Sequence, residues 1–196
     1  MKILFVDCCI RGEASRTLGL CRAALDEIAQ RWPEATVETV SLNDAPPLPM
    51  DAELLARRGE LAQAGDFTDA TFRFANQFKE ADLIVIGAPY WEFQFPALLR
   101  CYFEQISVCG LTFVYAEDGR PQTLCKARRL LYVTTAGGPI GDRNCGYDYV
   151  RVLCGDLLGI PEIGWGGAEG LDIWGADVPG ILAKAEADLR AQIRDW

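Results

Sequence analysis

The residues best equipped for chemistry fall in three short stretches. In Cys8-Cys-Ile-Arg-Gly-Glu-Ala-Ser-Arg-Thr17, thiols, arginines and hydroxyls follow directly on an apolar run. Ser15 or a neighbour suits a helix N-cap, and the unpaired N–H groups and positive dipole end of that helix can hold a phosphate. Arg11, Arg16 and Thr17 add donors. A capped helix with solvated arginines explains the same residues, and the loop follows neither a Walker nor a Rossmann glycine pattern. The second stretch, Pro89-Tyr-Trp-Glu-Phe-Gln-Phe95, sets Tyr90, Trp91, Phe93 and Phe95 together, where they either pack under another element or wall in a flat ligand. The third, Thr135-Ala136-Gly137-Gly138-Pro139, lets backbone approach a ligand closely and can aim N–H groups at developing negative charge.

The chain contains no histidine. That excludes Ser-His-Asp and Cys-His nucleophilic sites, histidine-bearing metal sites and imidazole acid–base work. Carboxylates, thiols, phenols or a bound cofactor remain, and a cofactor would carry the hard step itself. With 19 Lys and Arg against 28 Asp and Glu, the net charge of −9 repels nucleic acid and anionic membrane surfaces. No stretch approaches the roughly 18 apolar residues of a membrane span. Met1 to Val6 enters an apolar run with no Ala-x-Ala-type cleavage site behind it, which reads as a cytoplasmic protein. The eight cysteines include no Cys-x-x-Cys pair. Most are expected to be small core hydrophobes in a reducing compartment, and metal binding is not expected.

Strands and helices must alternate to position these loops. Lys2–Asp7, Val37–Leu42, Asp82–Pro89, Arg129–Thr135 and the glycine-rich Ile160–Glu169 read as five strands, the central ones as apolar runs covered on both faces. Leu18, Cys21, Leu25, Ile28 and Trp32 mark a helix that Pro33 helps to end. Residues 51 to 80 hold helical segments around Leu54-Leu55 and around Phe67, Phe74 and Phe78, split near Gly65 with Asp66 as a cap. Further helices are expected from Pro96 to about Cys109, from Gly146 to Leu158, and from about Asp177 to Asp195. The pattern is a single α/β domain over 1–196, a parallel sheet of order 2-1-3-4-5 with helices on both faces. Ligands bind beyond the carboxyl ends of such strands, where the loops after the first, third and fourth strands converge.

With those motifs in place, the chain resembles the flavodoxin-like NAD(P)H:quinone oxidoreductases and FMN-dependent azoreductases nearly end to end. Ser15-Arg-Thr17 corresponds to their phosphate loop. Pro89-Tyr-Trp-Glu-Phe93, followed by Pro96 and Leu98-Leu99, corresponds to the loop and helix at the isoalloxazine ring. Gly110-Leu-Thr-Phe-Val-Tyr115 with Gly119 resembles a Gly-x-Thr-Phe-x-Tyr segment of the family. The resemblance implies a flavodoxin-like three-layer sandwich that uses FMN as cofactor and NADH or NADPH as donor. Its acceptor is a quinone, azo compound or similar small molecule. The implied cofactor-binding set is Cys9, Arg11, Ser15, Arg16 and Thr17 for the phosphate, then Pro89, Tyr90, Trp91, Glu92 and Phe93, then Thr135, Ala136, Gly137 and Gly138. No side chain is assigned a catalytic role, because the flavin carries the chemistry.

Two positions depart from the family pattern. Cys9 stands where a phosphate-binding Ser is usual and is a weaker donor. Glu92 stands where an Asn normally meets the ring, and a carboxylate there opposes electron-rich reduced flavin unless it is protonated or turned away. Glu92 facing water or capping the helix at Pro96 is the other reading. A flavin-binding electron carrier or sensor without turnover also fits the fold and the acidic charge. A cysteine phosphatase needs Cys-x5-Arg, whereas six residues separate Cys9 from Arg16. The helix carrying Leu98, Leu99, Tyr102, Phe103 and Ile106 is apolar around much of its circumference. Together with the resemblance this implies a symmetric homodimer with each flavin site near the subunit boundary, and a deeply buried monomeric helix is the alternative.

Overall fold

The computed structural model describes residues 1–196. Along the chain run β1 (Lys2–Asp7), α1 (Arg16–Arg31), β2 (Thr36–Ser41), α2 (Ala52–Gln63), α3 (Arg73–Glu80), β3 (Leu83–Gly87) and α4 (Ala97–Ile106). They continue with β4 (Phe113–Tyr115), β5 (Pro121–Thr123), β6 (Arg129–Thr135), α5 (Cys145–Val150), β7 (Glu162–Ala168) and α6 (Val178–Arg194). Five strands form a parallel sheet of order β2-β1-β3-β6-β7, while β4 and β5 make a separate antiparallel pair. With that hairpin set aside, this is the expected 2-1-3-4-5 order of a flavodoxin-like sheet.

The sheet sits between two apolar layers. Because side chains alternate along a strand, Leu4 and Val6, Ile84 and Ile86, and Leu130 and Tyr132 face one layer with α3, α4 and α5. Ile3 and Phe5, Leu83 and Val85, and Leu131 and Val133 face the other, with α1 and α6. Both faces of β1, β3 and β6 are therefore dry, which explains their continuous apolar runs. α6 is pinned to α1 by the buried Glu27 carboxylate, which accepts from Arg190 at 3.2 Å and Arg194 at 3.3 Å.

β7 lies within the expected fifth strand although glycine disfavours strands. The reason is close approach. A Cβ on Gly164 would come within 2.5 Å of Gln192, one on Gly166 within 2.4 Å of Leu189, and one on Gly167 within 1.8 Å of the Thr134 carbonyl oxygen. Bare backbone at Gly164 and Gly166 makes room for α6, and at Gly167 it clears the backbone of β6. Other boundaries shift from expectation. Asp66 does not cap a helix: its carboxylate holds the N–H and hydroxyl of Thr68, and Asp69 caps the short turn that leads into α3. α4 stops at Ile106, short of Cys109, because the Thr112 hydroxyl donates to the Ile106 carbonyl at 2.7 Å and folds the chain back. The helix expected over Gly146–Leu158 begins one residue earlier, with Asn144 accepting from the Tyr147 N–H, and widens to π-helical geometry over Arg151–Leu157.

All eight cysteines are free. Cys8, Cys9, Cys21 and Cys154 are buried, Cys101 and Cys125 half-buried, and Cys109 and Cys145 exposed, so half rather than most are core residues. Burial, reinforced by neighbouring Cys9, pushes the Cys8 thiol up to about 12 from 9.0. Burial likewise raises Cys21 and Cys154.

The loop after β3 contains the only non-glycine residues at positive φ, Glu92 at 50° and Phe93 at 72°. The Trp91 N–H donates to the Gln94 carbonyl at 3.1 Å and the Gln94 N–H to the Trp91 carbonyl at 2.8 Å. Reciprocal bonds around two left-handed residues are the pattern of a two-residue type I′ turn, which favours Asn-Gly over Glu-Phe. Each left-handed residue of this kind costs roughly 1–2 kcal/mol.

Asn tolerates this conformation better than Glu. Glu92→Asn is thus expected to raise the thermal midpoint by about 2–4 °C, corresponding to about 1 kcal/mol; an unchanged or lower midpoint by circular dichroism refutes strain at this turn. In the native protein a maleimide is expected to label Cys145 and to spare Cys8, Cys9, Cys21 and Cys154, as read by peptide mass spectrometry. Because the folded Cys8 thiol stays protonated where the unfolded one ionises, its stabilisation is complete below pH 9.0 and is lost as pH rises toward about 12. Urea midpoints across that range should decline less steeply in Cys8→Ala than in wild type.

Candidate functional site

A cleft of about 180 Å³ opens where β1, β3, β6 and β7 end at their carboxyl side. Arg11, Ser15, Arg16 and Thr17 line one side, Pro89, Tyr90 and Trp91 a second, and Thr135, Ala136 and Gly137 a third. Ten of the fourteen expected positions therefore meet in one place. The sheet order explains why: β1 lies beside β3 and β3 beside β6, so the three following loops are neighbours.

Each wall is held by local chemistry. The Ser15 hydroxyl accepts from the Leu18 N–H at 3.2 Å, which caps α1 as expected. Arg16 and Thr17 open the helix, where backbone N–H groups lack intrahelical acceptors and the dipole favours an anion. The Thr17 and Thr135 hydroxyls share a buried 2.6 Å hydrogen bond, which ties the start of α1 to the end of β6. The Tyr90 N–H donates to the Thr135 carbonyl at 2.9 Å, and its hydroxyl donates to the Arg143 carbonyl at 2.8 Å. Phe93 meets Tyr90 edge-on at 6.5 Å between centroids, and the Arg143 guanidinium lies 5.4 Å from the Phe93 ring centre. Trp91 and Phe93 remain half exposed, so their rings are available to a ligand.

Four expected residues stand apart. Cys9 is 1% exposed, packs in the core with Cys21, and directs its thiol toward the Gly87 carbonyl at 3.7 Å. It is not part of the cleft lining, and a buried thiol without a phosphate-binding arginine loop around it is no phosphatase nucleophile. Glu92 is exposed at the turn, so the reading in which it faces water holds. It does not cap α4, whose N-cap Pro96 receives no side-chain bond. Phe93 sits beside the cleft through Tyr90. Gly138 lies just outside the lining, its carbonyl accepting from the Gly170 N–H at 3.1 Å, and the space a Cβ would fill there is open.

Three lining residues were not foreseen: Ile10, Leu171 and Asp172. Leu171 and Asp172 follow β7, whose carboxyl-end loop carried no sequence motif. The general rule that ligands lie beyond strand ends would have pointed to it. The Leu171 N–H donates to Ala136 at 3.2 Å and the Asp172 N–H to Gly137 at 2.9 Å, so this segment is stitched to the Gly-Gly loop. Asp172 Oδ1 lies 2.7 Å from Arg16 Nη1.

No thiol lines the cleft, and its one carboxylate, Asp172, is paired. The arrangement is built to bind and orient rather than to supply a nucleophile. Its donors match an anionic phosphate at one end and its rings and bare glycine backbone match a flat ring at the other.

Comparison with known proteins agrees with this fold. A family model described as flavodoxin-like fold matches residues 1–193. FMN-dependent NADH:quinone oxidoreductase 2 of Clostridium acetobutylicum is 30% identical over 202 residues, covering 100% of this chain and 99% of that protein. FMN-dependent NADH:quinone oxidoreductase 1 of Xanthomonas euvesicatoria pv. vesicatoria is 33% identical over 192 residues, covering 96% and 95%. The crystal structure of an FMN-dependent NADH-azoreductase from Bacillus anthracis in complex with FMN shares the fold, with a TM-score of 0.85 and 21% identity, covering 100% of this chain and 99% of that one. The chain belongs to the flavodoxin-like fold family and, within it, to the lineage of the FMN-dependent NADH:quinone oxidoreductases.

Proposed function

We propose that the protein is an FMN-dependent oxidoreductase, passing two electrons from NADH or NADPH to a quinone, azo compound or similar small acceptor. The observation that carries this is the meeting of a helix N-terminus with arginines, an aromatic loop and a glycine loop in one cleft. It occurs in a chain aligned end to end with an FMN-dependent NADH:quinone oxidoreductase. When bound, FMN supplies the chemistry, taking up a hydride equivalent and delivering it to the acceptor.

The chain's own residues bind and orient. The first N–H groups of α1, with Thr17, Arg11 and Arg16, hold the phosphate. Tyr90, fixed at both its N–H and its hydroxyl, gives the ring a rigid wall, and Trp91 and Phe93 extend it over the opening. The backbone around Gly137 and Gly138 offers donors where negative charge develops on reduction. Cys9 plays no part in the phosphate grip, its place being taken by Arg11 and the helix end. Glu92, turned to water, is spared the repulsion a carboxylate under the ring would suffer.

The protein acts as a single domain and as a homodimer. Support for the dimer comes from a groove of about 680 Å³ on the outer side of α2 and α4, lined by Met50, Leu55, Phe103, Val108, Tyr149 and Leu153. Leu55 is 61% exposed at its edge. No helix is long and apolar enough to cross a membrane. The cytoplasm suits eight unpaired thiols, which a reducing compartment preserves.

Purified protein with FMN is expected to turn yellow, to bleach with NADH or NADPH, and to oxidise the donor continuously with menadione, giving parallel double-reciprocal plots. Absence of flavin uptake at excess FMN sinks the reading; uptake without turnover makes the protein a carrier. Trp91→Ala should weaken FMN binding by about tenfold without unfolding the chain. Sedimentation at micromolar concentration should return twice the 21.6 kDa chain mass, and a monomer removes the dimer.

A further inference from the structure

We propose that Asp172 sets how sharply the site separates a phosphorylated flavin from its unphosphorylated form, by holding Arg16 in an ion pair that the phosphate has to displace. This rests on the FMN reading above and concerns Asp172, a residue to which that reading gives no part.

Three observations converge on Asp172. Its Oδ1 lies 2.7 Å from Arg16 Nη1, joining the segment after β7 to the start of α1 across the cleft. Its Oδ2 lies over Gly137, so closely that a Cβ there would come within 2.3 Å of it. The carboxylate thus fills the approach to the backbone a flat ring has to reach. The cleft measures about 180 Å³, whereas ligand sites typically run about 300–1,000 Å³. The pair therefore closes a site that binding must open.

The charges say which ligand opens it. The two side chains are 34% and 69% exposed, and ion pairs so accessible to water are weak. A phosphate offers Arg16 stronger, charge-assisted bonds and adds the helix end as a second partner. Once Arg16 turns to the phosphate, Asp172 is left as an unpaired like charge beside it. Competition for Arg16 and that repulsion both fall on a phosphorylated ligand alone, while displacement from above Gly137 is common to any flavin. The Leu171 and Asp172 N–H bonds to Ala136 and Gly137 keep the segment in place when the side chain is changed.

The test compares FMN with riboflavin on wild type, Asp172→Asn, Arg16→Gln and the double variant, by quenching of flavin fluorescence at equilibrium and in stopped flow, with circular dichroism to verify folding. Asp172→Asn should bind FMN about fivefold more tightly and more rapidly, and riboflavin less than about twofold more tightly. Arg16→Gln should weaken FMN and shrink the gain from Asp172→Asn to under about twofold, the coupling expected of one pair. Equal gains for both flavins, no gain, or weaker FMN binding in Asp172→Asn overturns the proposal while leaving the FMN site intact. Failure of wild type to bind either flavin overturns the site and this proposal with it.

Discussion

A parallel sheet with helices on both faces cannot carry chemistry along its central strands. β1, β3 and β6 are sealed by two apolar layers, and the only polar backbone they release to solvent is at their ends. Everything functional in this protein is a consequence of that expulsion. The buried Thr17–Thr135 hydroxyl pair then fastens the rim, linking a helix start to a strand end 118 residues away in sequence. Where the walls of the site are rigid, they are so because backbone donors and acceptors of one loop are satisfied by the next.

With a net charge of −9, the chain repels anions at a distance, and in the proposed site attraction for a phosphate comes from the dipole of α1 and the two arginines at its mouth. At the second end of the cleft, Arg143 lies over Phe93 with its own backbone carbonyl holding Tyr90. Aromatic walls that are anchored through hydroxyl and amide groups, rather than through burial alone, can stay half exposed without collapsing.

Much of this was legible in the residues. The apolar runs at Lys2–Asp7, Asp82–Pro89 and Arg129–Thr135 announce buried parallel strands, and their order places three loops side by side. Ser15 reads as a cap and is one. What escaped reading depends on contacts distant in sequence. Asp172 belongs to a loop with no recognisable motif, and its part emerges only when α1 lies opposite. Cys9 follows its strand where a donor is expected, yet the alternation of side chains past Asp7 turns it inward beside Cys21. Glu92 and Phe93 occupy a turn whose left-handed backbone their residue types do not advertise. The boundaries of α4 and α5 moved because Thr112 and a widened helical turn, not local preference, end them.

The bare glycine face of β7 bears on how the molecule is made. A strand of Gly164, Gly166 and Gly167 has few side chains to mark its alignment with β6, and such strands slip readily. Here Gln192 and Leu189 of α6 pack directly over Gly164 and Gly166, on a strand paired with β6 along its whole length. During synthesis, β7 leaves the ribosome before those residues do. Its glycine face therefore stays uncovered until α6 arrives to pack on it.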